Sequence, residues 1–184
     1  MGSFFIKSNI KNIFFKIILL IIYRINYFKK NVFLIIENKT DMNFLIKKKC
    51  IKKDRIFLIS GSGVDIKQYS NNNYDSNNNI VLMPCRVIKD KGVLDLLYIA
   101  DHFYKKNILN YRFILLGDLD TKNPSSLSKN EINKIKSHPL LEWHKHTNDI
   151  KKYLKQTRLL LFLSYREGLP RVLVESLFMN IPVM

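Results

Sequence analysis

The chain has 184 residues, enough for one sizeable hydrophobic core with at most a small second piece. Lysine and arginine outnumber aspartate and glutamate 31 to 15, and the net charge of +16 suits an anionic partner such as nucleic acid, an anionic membrane surface or a nucleotide diphosphate. The lysines fall in short runs (Lys47 to Lys49, Lys52 with Lys53, Lys105 with Lys106, Lys151 with Lys152) and no zinc-finger or RNP-like pattern accompanies them. A nucleic-acid module is therefore not expected, and scattered solvated lysines are the plain alternative. Cys50 and Cys85 lack metal or disulfide spacing, which suits a reducing compartment and a packing role.

Residues 1–31 are aromatic, apolar and basic. Lys16 and Arg24 interrupt the apolar run and leave only seven uncharged residues, Ile17 to Tyr23, well short of the roughly 20 that span a bilayer. No small-residue cleavage site follows, so a signal peptide is not expected. Two readings stay open for this stretch: an amphipathic helix in a membrane interface, or a helix packed on a lobe that is mostly missing. Val32 to Ile36 reads as a strand, Met42 to Lys49 as a short helix and Ile56 to Ile59 as another strand. Gly61-Ser62-Gly63-Val64-Asp65 is a glycine turn, and the polar stretch Asn71 to Asn79 a surface loop.

From Ile80 the pattern becomes regular. Strand Ile80 to Met83 leads through Pro84-Cys85-Arg86 and a Lys89-Asp90-Lys91-Gly92 turn into a helix. Its predicted buried face is Val93, Leu96, Leu97, Ala100, Phe103 and Tyr104. Strand Arg112 to Leu116 ends at Gly117-Asp118. Ser128 with Glu131 fits a capping box for a helix to about Ser137. Leu141 to His144 reads as a short strand, Asn148 to Gln156 as a helix and Leu159 to Leu163 as a buried strand. A polar turn carrying Glu167 and Gly168 follows. Pro170 suits the first helical position, because its missing N–H would be unbonded there, and the helix runs to about Met179. Ile181 to Met184 begins another strand. Strands alternating with helices imply βαβ units and a parallel sheet of Rossmann type.

Open parallel sheets bind ligands outside the carboxyl ends of their strands. Three turns fall at that edge: Pro84 to Gly92, Gly117 to Asp120 and Ser164 to Gly168. A cationic pair (Arg86, Lys91), a close-approach glycine (Gly117) and two carboxylates (Glu167, Glu175) thus share one rim. The N-terminus of the last helix adds backbone N–H donors suited to an anion. His102, His138, His144 and His146 lack ligand spacing and read as surface or packing residues, and no metal motif is visible.

Glu167-Gly-Leu-Pro followed by Val174-Glu-Ser, with seven residues between the two glutamates, resembles the donor site of retaining family-4 glycosyltransferases of the GT-B fold. The flanks S-Y-R-E-G-L-P-R and V-L-V-E-S-L strengthen the match. G-S-G-V-D resembles the segment that closes the family's N-terminal lobe, and E-N-K-T-D-M-N-F that lobe's last stretch. With L-L-G-D-L-D-T-K-N-P-S, the likeness is strongest to enzymes that transfer a sugar or N-acetylhexosamine from a UDP-sugar to a polyprenyl-diphosphate-linked glycan or other polysaccharide acceptor. The resemblance covers about residues 32–184. It implies an α/β chain in three parts: an N-lobe remnant with a basic, apolar helix (1–59), a crossing (60–79) and a Rossmann-like nucleotide-sugar lobe (80–184). It also implies a UDP-sugar donor without metal or other cofactor, and a cytoplasmic setting with peripheral contact to an anionic membrane.

The resemblance further assigns roles. Arg86 and Lys91, within C-R-V-I-K-D-K-G, would hold the diphosphate. Glu175 would accept from the ribose hydroxyls, and Glu167 would face the sugar or the reacting centre as the catalytic carboxylate. Backbone N–H groups near Gly168 and Leu169 would meet the phosphates, Gly117 would keep the donor's path clear, and His144 to Asp149 would pass near the base. Against the family pattern, most of the N-terminal lobe is absent and the sequence stops at Met184 where the family continues. Cys85 and Lys145 stand where glycines are usual. A truncated or split reading frame from an AT-rich genome would account for this. The chain alone is then not expected to turn over efficiently: it would act with a missing lobe on another chain, or persist as an inactive remnant or binding module.

Overall fold

A computed structural model of the chain describes residues 10–29, 31–61, 63–69, 74, 75, 77–165 and 167–184. The first nine residues of the basic stretch, Ser62 of the glycine turn, much of the Asn-rich loop and Arg166 lie outside them. Contacts group the chain into two compact units, Met1–Ser62 and Gly63–Met184.

In the first unit, helix α1 (Ile10–Phe28) precedes strand β1 (Leu34–Ile36), helix α2 (Lys39–Lys47) and strand β2 (Ile56–Leu58), which pairs parallel to β1. The sequence set the first strand at Val32 to Ile36, and the structure starts it two residues later. Asn38 caps α2 by accepting from the Asp41 N–H at 2.7 Å. Arg24 on α1 donates to the carbonyl of Lys48 (2.8 Å), capping the other end of α2. Leu45, Cys50, Ile51 and Ile56 make the core, with Leu20, Tyr23 and Tyr27 of α1 packed on it. The other side of α1 exposes Ile13, Phe14, Ile17, Ile21 and Ile25. No helix among the described residues is long and apolar enough to cross a membrane.

The second unit opens with the short helix α3 (Ile66–Tyr69). It continues through β3 (Ile80–Pro84), α4 (Val93–Lys105), β4 (Arg112–Leu116), α5 (Lys129–Ser137), β5 (Leu141–His144), α6 (Ile150–Leu154), β6 (Thr157–Leu160) and α7 (Arg171–Phe178). The sheet order is β5-β4-β3-β6, parallel throughout. Val183 bridges Leu160 and extends the sheet beyond β6. The central strands β3 and β4 are buried on both faces, which is why the sequence shows continuous apolar runs there rather than alternation. Val81, Met83, Phe113 and Leu115 face Val93, Leu96 and Ala100 of α4 and Ile135 of α5. Ile80, Leu82, Ile114, Leu116 and Leu160 face Tyr69, Leu154 of α6 and Val172 of α7.

Several predicted boundaries move. The last strand is assigned to Thr157–Leu160 rather than Leu159 to Leu163. The chain keeps ladder bonds beyond it, with Leu161 donating to Leu82 (2.8 Å) and Phe162 to Met184 (2.6 Å). α6 is five residues long, and Asp149 sets its start by accepting from Lys152 N–H at 3.3 Å. Pro170 is the N-cap of α7 in extended conformation (φ −66°, ψ 137°), not its first helical residue. Tyr104, placed in the buried face of α4, is 49% exposed at the end of that helix.

The capping box at Ser128 forms as read: Ser128 Oγ accepts from Glu131 N–H (3.3 Å) and Glu131 accepts from Ser128 N–H (2.7 Å). Lys89 adds an ion pair at 2.8 Å, and with the Ser128 contacts it holds the Glu131 carboxyl down to about 2. A carboxyl lowered on folding stabilises above its unfolded value of 4.5 and loses that contribution as pH falls through about 2. In urea unfolding, Glu131→Gln should therefore be less stable than the parent at pH 7, and the gap should close as the solution is acidified over that range.

Candidate functional site

The second unit reverses its strand order at β3. β4 and β5 are laid down on one side, and the chain then returns to place β6 on the other. Beyond Pro84 the tail of β3 turns to β4: Cys85 donates to Leu116 O and Val87 to Asp118 O, both at 3.0 Å. The tail of β6 pairs instead with 182–184. The two neighbours part, and a crevice opens at their carboxyl ends, where open α/β sheets take ligands.

Two adjoining cavities occupy it. The larger, about 470 Å³, is lined by the ends of β3 and β4, by His146, Thr147 and Asn148, and by Arg171, Val172 and Glu175 of α7. The smaller, about 140 Å³, is lined by Lys91, by 161–164 and by Glu167 and Pro170. Arg86 borders both. The structure thus gathers Arg86, Lys91, Gly117, Glu167 and Glu175 around one crevice. Gly168 and Leu169 lie on the exposed approach to α7 and line neither cavity.

The two cations differ in setting. Arg86 keeps 64% of its side chain exposed and meets Asp120 at 3.4 Å. Lys91 is mostly covered, and its Nζ pairs directly with Glu167 Oε1. Burial pulls the Lys91 ammonium below its usual value, and the nearby Arg86 charge pulls it further. Glu167 also accepts from Ser164 Oγ at 3.1 Å. Glu175 is buried, with 3% of its surface exposed, and Arg171 one turn back meets it at 3.3 Å. The pairing with Arg171 is what plain helical spacing anticipates, yet the carboxylate also borders the larger cavity. Its second partner is Tyr69 of α3: burial raises that phenol, and the neighbouring Glu175, to which the hydroxyl donates, raises it further.

The tail of β4 passes tightly against the tail of β3 at Gly117. Its φ is +151°, and a Cβ there would sit 1.9 Å from the Cys85 carbonyl oxygen. Its own carbonyl accepts from Trp143 Nε1 at 2.9 Å. Cys85 beside it has its thiol pushed up to about 12 by burial, so it stays a neutral packing group. His138 and His144 are packing residues, as read: His138 lies edge-on to Tyr104, and His144 sits between Tyr153 and Glu142. His146 borders the larger cavity instead, anchored by its N–H on Asp118 at 3.2 Å. Among the described residues no group of three or more His, Cys, Asp or Glu could hold a metal ion.

Tyr69 escaped the sequence reading because nothing in a four-residue helix before the Asn-rich loop announces contact with Glu175. Asp90, Asp95, Ser125 and Tyr165, which tie the strand-end loops together, escaped it because each looks like an ordinary turn or helix-start residue.

A doubly wound parallel sheet with a cation-lined crevice at its reversal point defines a Rossmann-like α/β lobe. Its structural neighbours are glycosyltransferases of the GT-B fold. TarM of Staphylococcus aureus, solved with UDP, fondaparinux and α-GlcNAc-glycerol, superposes over 82% of this chain and 29% of its own, with TM-score 0.64 and 19% identity. HepE of Anabaena, solved with UDP and glucose, covers 82% and 43%, with TM-score 0.64 and 18% identity. WaaG, which takes part in lipopolysaccharide biosynthesis, covers 82% and 42%, with TM-score 0.63 and 17% identity. The capsular polysaccharide biosynthesis glycosyltransferase CapM of Staphylococcus aureus is 25% identical over 99 residues, 54% of this chain and 25% of that protein. The family model for glycosyl transferases group 1 matches residues 64–184. The chain belongs to that family. It spans about a quarter of the length of the curated relative it matches.

The Gly117 geometry yields a direct test. Gly117→Ala should lower stability in urea unfolding by about 2 kcal/mol or more, since backbone must shift as well as adopt a strained φ. Gly63→Ala, also at positive φ (+71°) but with no atom within 4 Å of the new Cβ, should cost about 1 kcal/mol.

Proposed function

We propose that this chain carries the donor-binding lobe of a retaining glycosyltransferase that moves a hexose or N-acetylhexosamine from a UDP-sugar to a lipid-linked or polysaccharide acceptor. The observation that supports it most is Arg86, which borders both cavities and lies between the Lys91–Glu167 pair and Glu175. A diphosphate spanning the two cavities would meet a guanidinium that can fork onto its oxygens and an ammonium that adds a point charge. As the glycosidic bond breaks, charge builds on the leaving diphosphate, and preorganised cations stabilise it without reorganising water. Arg86 and Lys91 supply that charge in this reading, and no step needs a metal.

Glu175 takes the ribose hydroxyls. A carboxylate has about four acceptor sites, so its contacts with Arg171 and Tyr69 leave room for them. Glu167 faces the sugar from the smaller cavity and acts at the reacting centre. The Gly168 and Leu169 N–H groups, outside both cavities in the free chain, meet the phosphates as the approach to α7 folds inward. His146, Thr147 and Asn148 take the base.

The same reading sets the protein at the cytoplasmic face of a membrane, with the rest of the enzyme supplying the acceptor side. The outward apolar residues of α1 make peripheral contact with a membrane surface, and the net charge of +16 favours an anionic one. Binding to anionic vesicles should then weaken as salt rises and fall sharply in Ile17→Asp, while zwitterionic vesicles should hold neither protein.

Calorimetric titration of UDP and uridine tests the donor site. Arg86→Ala should weaken UDP by about tenfold to a hundredfold, the worth of one charge-assisted hydrogen-bonding group, and leave uridine almost unchanged. Glu175→Ala should weaken both ligands alike. Equal losses for UDP and uridine in the Arg86 variant would contradict its phosphate role.

A further inference from the structure

The loops after β3, β4 and β6 are laced together by contacts that the donor roles do not use. Tyr165, in the loop after β6, donates its backbone N–H to Asp90 O at 3.1 Å and its hydroxyl to Asp95 Oδ2 at 2.8 Å. Asp90 belongs to the turn after β3 that also carries Lys91, and its side chain accepts from Ser125 Oγ at 2.5 Å. Ser125, from the loop after β4, accepts in turn from Lys89 N–H at 2.8 Å. Gly92 closes the same turn in a left-handed conformation (φ +77°), with the Leu163 carbonyl 2.4 Å from where a Cβ would sit.

Tyr165 is 67% exposed, so packing does not account for its place. Its contacts bind the loop of Glu167 to the turn and helix on either side of Lys91. Only Arg166 separates it from Glu167, and Ser164 on its other side donates to the same carboxylate.

We propose that Tyr165 is a positioning residue for the Lys91–Glu167 pair, fixing the two loops so that the ammonium and the carboxylate stand ready at the smaller cavity. The proposal rests on the donor-site reading, since it is the diphosphate that Lys91 is held ready to meet. Tyr165 lines neither cavity. It acts through Lys91, so its loss matters only while Lys91 is present.

A double-mutant cycle on the full chain reads this out. Tyr165→Phe removes one hydroxyl from an exposed ring. It should weaken UDP about fivefold, the order expected for one lost hydrogen bond, with uridine affinity and the unfolding midpoint kept. In the Lys91→Ala background the same change should have no further effect on UDP. Asp95→Ala, which removes the acceptor of that hydroxyl, should reproduce the Tyr165→Phe result. Independent losses that simply add in the double variant, or equal loss for uridine, would overturn the proposal while leaving the donor site standing. A parent protein that binds no UDP would instead overturn the donor-site reading. A ligand-free measurement covers that case: the Lys91 Nζ resonance in ¹⁵N NMR should shift in Tyr165→Phe, and an unmoved resonance overturns the positioning role.

Discussion

The crevice exists because two adjacent parallel strands stop sharing hydrogen bonds at their carboxyl ends. The tail of β3 gives its N–H groups to β4 through Cys85 and Val87, whereas the tail of β6 gives Phe162 to residue 184. Alternate residues of β3 serve its two neighbours, and on the β6 side Pro84, two residues past Leu82, has no N–H to give. The gap follows from that constraint, and side chains at the strand ends fall into it. Gly117 makes the β3 side of the arrangement workable. Its missing Cβ lets the Cys85 carbonyl come close, which keeps β4 locked on β3 while Arg86 turns toward the opening.

The alternation of strands and helices from Ile80 onward was legible because the central strands β3 and β4 are sandwiched between helix layers and must be apolar on both faces. The capping box at Ser128 was legible because two residues three apart carry the whole signal. Boundaries were less legible where backbone bonding and hydropathy part company. Leu161 and Phe162 are as apolar as a strand and still make ladder bonds, yet lie past the last residue pair of β3 and β6, Leu82 with Leu160. Pro170 could fill either of two adjacent positions by its ring geometry, and the extended ψ of 137° decides for the cap.

The rim itself was legible in kind, since strand ends can be counted and their residues named. What the sequence could not supply was pairing. Nothing in the spacing of Lys91 and Glu167 along the chain shows that they meet, because they sit on loops after different strands that only the β3–β6 neighbour relation brings together. Tyr69 and Glu175 are a second case, joined only because α3 and α7 cover the same sheet face.

The contrast between Arg86 and Lys91 bears on how such a rim can hold a dianionic group. A solvated cation must lose water when it meets phosphate, and that cost offsets part of the attraction. Arg86 is in this position. Lys91 has already lost much of its water on folding, and Glu167 holds it in place. On the proposed reading, a phosphate oxygen arriving at Lys91 replaces a carboxylate oxygen as partner, so one ion pair is exchanged for another with little new desolvation. The displaced Glu167, still accepting from Ser164, would be left facing the sugar. Binding of the diphosphate and placement of that carboxylate would then be a single event.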